Sequence, residues 1–279
     1  MNNLASAKEP LSMKLYRDAI KTLSINDIAK LKQQGEKITC LTAYDASFTD
    51  LCEQANIDML LVGDSLGMVI QGQNTTLPVT VEDMIYHCRC VTRARQRAFV
   101  IADLPFMSYP TPLIAAQNAA LLMQQGGAQM VKLEGARVEI VRFLVEQGVP
   151  VCGHLGLLPQ HINQTGVYRV QGKSAADADK ILQQAIALQD AGAGLLVLEC
   201  VPAGLAKTIS ETLAIPVIGI GAGMDCDGQV LVLYDMLGMG NAPRFCKNFM
   251  QNAASISDAI AAYQHAVKQR EFPSLEHSF

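Results

Sequence analysis

Four carboxylates in this sequence stand directly after short apolar runs. Asp64 follows Met59-Leu60-Leu61-Val62-Gly63, Asp103 follows Phe99-Val100-Ile101-Ala102, Glu134 follows Met130-Val131-Lys132-Leu133, and Glu199 follows Leu195-Leu196-Val197-Leu198. Such a run, stopping abruptly at a polar group, is the pattern of a parallel strand covered on both faces whose C-terminal tip opens onto a ligand site. If one mouth gathers the four tips, the acids repel and raise one another's proton affinity, and a divalent cation relieves that repulsion. Oxygen donors with no paired His and Cys beside them favour a hard ion that keeps water-filled positions, so Mg²⁺ is expected before Zn²⁺. Any one of these acids could instead cap a helix or pair with a surface base. Four at one mouth argue for a shared site.

Other groups fall on the same tips. Lys132 lies two residues before Glu134, so on a strand both side chains point the same way. An inward lysine could neutralise an anionic substrate's carboxylate or act as a Schiff-base amine; the metal argument favours the first, and a structural counter-ion is the plain alternative. Ser65 could hold a substrate carboxylate through its hydroxyl and backbone N–H, or merely cap a helix. His154 could be a polar wall of the site or a satisfied structural histidine.

The elements that must position these residues can be read from the same sequence. Further strands are expected at 38–44, 149–153, Pro216–Ile220 and 230–234, and the fourth strand over 128–133. Capping pairs open helices at Ser24 with Asp27, Thr80 with Asp83 and Ser174 with Asp177, while Thr111-Pro112 supplies an N-cap followed by proline at N1. A last helix is expected near 256–270. Strands that are hydrophobic throughout and alternate with helices point to a single-domain α/β fold, a (β/α)₈ TIM barrel over 24–279 with an N-terminal helical extension. An open doubly wound sheet is the competitor, but the G-x-G-x-x-G that should follow its first strand is absent. Gly219, Gly221 and Gly223 suit a tight turn, with a phosphate loop as the alternative. Residues 1–23 show no periodicity and are expected to be an arm, loose or held by a partner.

The chain has 279 residues, half of them hydrophobic, enough for one large core. Its net charge is −4 and its basic residues form no run, which argues against nucleic acid and for small-molecule chemistry. No apolar segment is long enough to span a membrane, and charges at Lys8, Glu9, Lys14, Arg17 and Asp18 occupy the place of a signal peptide's apolar region; a cytoplasmic protein is expected. The eight cysteines are read as reduced thiols, several of them packed in or beside apolar strands. Cys88 and Cys90, one residue apart on a helix, face different ways and make a poor zinc pair.

Taken together, Leu61–Gly67, Thr76–Thr80, Ala102–Met107, Val131–Gly135, Val151–Gly156, Leu198–Pro202 and Ile218–Gly223 closely resemble the ketopantoate hydroxymethyltransferase family, as does the closing Glu276-His277-Ser278-Phe279. The resemblance covers about residues 25–279. It implies an Mg²⁺-dependent barrel of pantothenate synthesis that uses 5,10-methylenetetrahydrofolate to add a hydroxymethyl group to 3-methyl-2-oxobutanoate. Carried over residue by residue, it implies Asp64 and Asp103 as principal metal ligands, Glu134 as an acid of the metal's outer sphere, Ser65 and Lys132 (with the two aspartates) as substrate contacts, and Glu199 as the catalytic proton acceptor. It also implies a large homo-oligomer, commonly a decamer. The chain departs from the family pattern in a longer N-terminal arm, in Gln164-Thr165-Gly166-Val167-Tyr168, and in Met224-Asp225-Cys226. Two other classes remain as alternatives: a metal-dependent C–C lyase or mutase of the isocitrate lyase or phosphoenolpyruvate mutase type, which would act without folate, and a non-catalytic 2-oxo acid binding barrel.

Overall fold

The computed structural model describes residues 22–240 and 242–279. The arm expected over 1–23 therefore lies, but for its last two residues, outside the described residues. Eight strands form one closed parallel barrel in sequence order: β1 (Ile38–Thr42), β2 (Met59–Val62), β3 (Phe99–Asp103), β4 (Met130–Glu134), β5 (Val151–Gly156), β6 (Leu195–Glu199), β7 (Val217–Ile220) and β8 (Gly228–Leu231), which pairs back with β1. This is the TIM-barrel architecture.

The local signals account for most element starts. Ser24 and Asp27 close a capping box on the helix Ile25–Gln33, and Thr80 and Asp83 do the same for Val81–Ala94. Thr111 caps Pro112–Gln124 with the proline in its first turn, and Ser174 caps Ala175–Asp190. One core runs through the barrel and out beneath the surrounding helices, from Leu41, Leu60 and Val100 to Val141, Leu188 and Ile260. All eight cysteines are free; Cys40, Cys52, Cys88, Cys152 and Cys226 are buried in it, and Cys200 is buried outside it. Among the described residues no helix is long and apolar enough to cross a membrane.

Most strand ends fall within two residues of expectation, and three departures bear on the site. β5 runs to Gly156 and not to 153, so His154 is a strand residue paired with Glu134. β8 is Gly228–Leu231, and the apolar residues beyond it turn into the short helix Leu233–Met236, where the Leu233 N–H donates to Thr42 Oγ1 at 2.9 Å. An apolar run of this length reads equally well as strand or buried helix, so its end could not be placed from the pattern. No helix separates β7 from β8; Gly221 and Gly223 take left-handed backbone there, at φ 59° and 85°, as a tight turn requires.

Candidate active site

A cavity of about 450 Å³ opens at the C-terminal end of the strands. Asp103, Glu134 and Glu199 are the last residues of β3, β4 and β6, and Asp64 stands two residues past β2. All four line the cavity with Lys132 and His154. The strand-end acids, scattered through more than a hundred residues of sequence, are brought together as expected.

Their contacts are direct. The Asp64 backbone N–H donates to Asp103 Oδ2 at 3.1 Å, and Lys132 Nζ sits 2.5 Å from Asp103 Oδ1. That approach depends on Gly63, where a Cβ would stand 2.9 Å from Ser65 Oγ and 3.4 Å from Asp103 Oδ2. Asp103 and Lys132 are register partners on β3 and β4, so the pair is set by the sheet itself. His154 lies between two acids, with Nδ1 3.7 Å from Glu134 Oε1 and Nε2 3.2 Å from Glu199 Oε2, and neither ring nitrogen completes a hydrogen bond among the described residues. Ser65 does not use its side chain as a helix cap; its Oγ meets Tyr44 Oη at 2.9 Å.

Two residues that no sequence pattern marked complete the floor. Gln160, only 3% exposed, donates from Nε2 to Asp64 Oδ2 at 2.9 Å and to the Leu104 carbonyl at 3.0 Å, and its backbone N–H donates to Glu134 Oε2 at 3.0 Å. Tyr109 Oη donates to Gln160 Oε1 at 2.5 Å and accepts from the Glu134 N–H at 3.3 Å. One residue, through its side-chain amide and its backbone N–H, thus ties Asp64 and Glu134 together. The available signal was weak: Pro159-Gln160-His161 begins a 3₁₀ turn in an otherwise polar stretch.

The electrostatics follow from crowding in a dry place. Burial first, and then Asp103, push the Asp64 carboxyl up to about 7. Glu134 is raised well above the usual range by burial and by Asp64, and Glu199 is pushed up to about 8, chiefly by burial. Burial alone would lower the Lys132 ammonium, but Asp103, Asp64 and Glu134 around it hold it charged. His154 is held neutral, its proton affinity depressed by burial and by Lys132. The floor therefore has more acids than its one lysine can balance, and it favours a further positive charge.

A family profile described as ketopantoate hydroxymethyltransferase matches residues 22–275. The chain belongs to the ketopantoate hydroxymethyltransferase family. Its relatives include the 3-methyl-2-oxobutanoate hydroxymethyltransferases of Nitrosococcus oceani, 58% identical over 92% of this chain and 99% of the relative, and of Alkalilimnicola ehrlichii, 56% identical over 92% and 94%. Among solved structures, 2,3-dimethylmalate lyase of the PEP mutase/isocitrate lyase superfamily superposes with a TM-score of 0.53 at 16% identity, over 90% of this chain and 88% of that one. Phosphonopyruvate hydrolase superposes with a TM-score of 0.58 at 11% identity, over 77% and 84%. At such identities the likeness is one of fold, and it places the ketopantoate hydroxymethyltransferase barrel in the same architecture as those enzymes.

Proposed function

We propose that this barrel transfers a hydroxymethyl group from 5,10-methylenetetrahydrofolate to 3-methyl-2-oxobutanoate, giving 2-dehydropantoate for pantothenate synthesis, with Asp64 and Asp103 holding Mg²⁺. The observation that carries the reading is the charge imbalance of the floor, where Asp64, Asp103, Glu134 and Glu199 face Lys132, while Arg169 and Arg244 line the cavity only from exposed positions. The residues fit the ion. Their donors are hard oxygens, and no group of three His, Cys, Asp or Glu side chains converges into a ready-made cage among the described residues. Mg²⁺ asks for no such cage, because it binds through one or two carboxylates and completes its octahedron with substrate oxygens and water. When bound, the ion supplies Lewis acidity that favours negative charge on the keto oxygen of the 2-oxo acid.

The protein's own groups do the rest. Lys132, held charged beside Asp103, neutralises the substrate's carboxylate, and Ser65, its hydroxyl fixed by Tyr44, supplies a hydrogen bond to it. Glu134 stays behind the aspartates, fixed by the Gln160 N–H, as a residue of the metal's outer sphere. Glu199 takes the proton from C3: its desolvated carboxylate is a stronger base than an ordinary glutamate, and neutral His154, with Nε2 3.2 Å away, does not compete for the proton. Water adds to the folate's methylene carbon and its bonds to N5 and N10 break, releasing tetrahydrofolate; the carbanion forms the C–C bond to that carbon, and the alkoxide left on it takes up the proton held by Glu199 to complete the hydroxymethyl group.

The deciding assay follows consumption of 3-methyl-2-oxobutanoate. Turnover that requires both Mg²⁺ and methylenetetrahydrofolate is expected; cleavage that proceeds without folate would replace the transferase with a lyase or mutase. Assembly into a homo-oligomer, decameric as the resemblance implies, and residence in the cytoplasm belong to the same proposal. Light scattering on the purified full chain tests the assembly.

A further inference from the structure

The acids occupy only part of the barrel rim. Asp64, Asp103, Glu134, His154 and Glu199 come from β2 through β6, consecutive around the closed ring, and they form a polar arc. The rest of the ring presents Ile220 of β7, Val230 of β8, Val232 just past it and Thr42 of β1, and the segment beyond adds Phe245 and the exposed Arg244, so that this side of the cavity is mainly apolar. On this apolar arc stands one carboxylate that the chemistry above does not use. Asp235 lies in the short helix that follows β8 and lines the cavity. It is half-buried and its side chain makes no hydrogen bond or ion pair among the described residues. Burial alone raises its proton affinity, to about 6, so at neutral pH it remains largely ionised and unsatisfied. Its neighbour Tyr234 stacks on Tyr44 at 5.9 Å, and Tyr44 bonds Ser65, which couples the two arcs mechanically.

A five-carbon 2-oxo acid fills only a fraction of a cavity of about 450 Å³, and the transferase reading requires a second, larger substrate in the same space. The pterin of a reduced folate has flat apolar faces, and its pyrimidine edge carries two parallel donors, the 2-amino group and N3–H. A carboxylate is the matching acceptor because its two oxygens take both donors at once. An apolar wall with a single buried polar group that fixes orientation is also how small-molecule sites are generally built.

We infer that Asp235 accepts the 2-amino and N3 hydrogens of the folate pterin against the apolar arc, orienting the methylene carbon toward the carbanion formed on the polar arc. The inference rests on the transferase reading, and it makes Asp235 the residue that selects a pterin over other one-carbon donors. Substitution by the near-isosteric Asn leaves one acceptor and turns an NH₂ toward the pterin's own donors.

The test compares two reactions of the same protein: turnover with 5,10-methylenetetrahydrofolate, and folate-free exchange of the C3 proton of 3-methyl-2-oxobutanoate followed by NMR in deuterated water. In Asp235→Asn the KM for methylenetetrahydrofolate should rise about tenfold or more, while the exchange rate stays at the wild-type level and Asp235→Glu regains part of the lost affinity. An unchanged folate KM in Asp235→Asn, with wild-type turnover intact, overturns the assignment alone. A parallel fall in exchange and turnover also overturns it, since that would place Asp235 on the keto acid's side or in the fold. Wild-type protein that exchanges the proton but never turns over with folate overturns the transferase reading and this inference with it.

Discussion

Two aspartates flank the same strand, each only 4% exposed, and their surroundings are opposite. Asp58, just before β2, accepts from the Thr39 N–H at 3.0 Å and Oγ1 at 2.9 Å, and it pairs with Arg97 at 3.1 Å and Lys268 at 2.7 Å. Asp64, just past β2, receives a neutral amide from Gln160 and has Asp103 beside it, while the close contact of Lys132 is with Asp103. One end of the barrel satisfies its buried charge twice over, and the other leaves buried acids short of cations. A barrel needs the first arrangement to stay closed and the second to do work at its C-terminal mouth. The contrast sets the fully paired carboxylate apart from those of the proposed site without reference to any ligand.

The largest effects should follow from removing acids at the deficient end. Asp103→Ala deletes a proposed metal position and the partner of Lys132 together, and Lewis-acid assistance is generally worth several kcal/mol. Turnover should therefore fall on the order of 10⁴-fold while the protein remains folded. Asp58→Ala should do the reverse. It strands Arg97 and Lys268 and should cost about 3 kcal/mol of stability in urea unfolding, with turnover per folded molecule unchanged. If Asp58→Ala abolished turnover in protein that is still folded, the division between the two ends would collapse.

Within the mouth, Glu199→Gln should separate binding from proton transfer. Removing a general base costs about 10²–10³-fold in the proton-transfer step, so C3 proton exchange should fall by that factor while the Kd for 3-methyl-2-oxobutanoate, by calorimetry, stays near wild type. In the wild-type protein the exchange rate should rise with pH as Glu199 ionises, with an inflection above the ordinary glutamate value of 4.5. Exchange at the wild-type rate in Glu199→Gln would move the base elsewhere, and His154 would be the next group to test.

How much of this was visible in the sequence depended on whether a residue's role was local. The strand-end acids were legible because each terminates its own apolar run, and barrel closure does the gathering for any such set. Lys132 was legible because two-residue spacing on a strand fixes its side. The capping boxes were legible because the signal lies within four residues. Gln160 and Tyr109 were not, since their value lies in bridging β2, β3 and β4 across the mouth, and nothing around them in sequence records that. The end of β8 was misplaced for a related reason: Val232-Leu233-Tyr234 is apolar whether it continues a strand or turns inward as a helix, and the bond from Leu233 to Thr42 that decides it is long-range. The Ser65 hydroxyl likewise found its partner in Tyr44, a residue of another strand's end, and left the adjacent helix uncapped.

The deficient end also predicts how stability responds to pH and metal. Folding raises Asp64 and Glu199 from ordinary values of 3.8 and 4.5 to about 7 and about 8. Between those limits the folded protein binds protons that the unfolded chain has released, so metal-free stability should decline as pH rises from about 4 to about 8. Mg²⁺ binds the ionised acids, and its stabilisation, about 2.7 kcal/mol at a hundred times its Kd, should be fully expressed near pH 8 and small near pH 5. Thermal melts at the two pH values with and without Mg²⁺ read this directly; an equal shift at both would mean that the ion does not compete with these protons. Asp64→Asn should flatten both trends.

The smallest effect singles out the bridge itself. Gln160 touches no proposed substrate atom, yet its side chain steers Asp64 and its backbone steers Glu134. Gln160→Leu keeps the backbone contact and comparable bulk while removing the amide, leaving Asp64 Oδ2 without its donor and Tyr109 without its acceptor. Loss of a group that orients a metal ligand typically costs about 10–100-fold in metal affinity, so the Mg²⁺ Kd should rise by that factor while kcat at saturating Mg²⁺ changes little. Gln160→Leu with unchanged Mg²⁺ affinity but a large loss of kcat would mean that the amide acts on the reacting atoms. The mouth would then be held by its strands alone, as the Asp58 end is held by its cations.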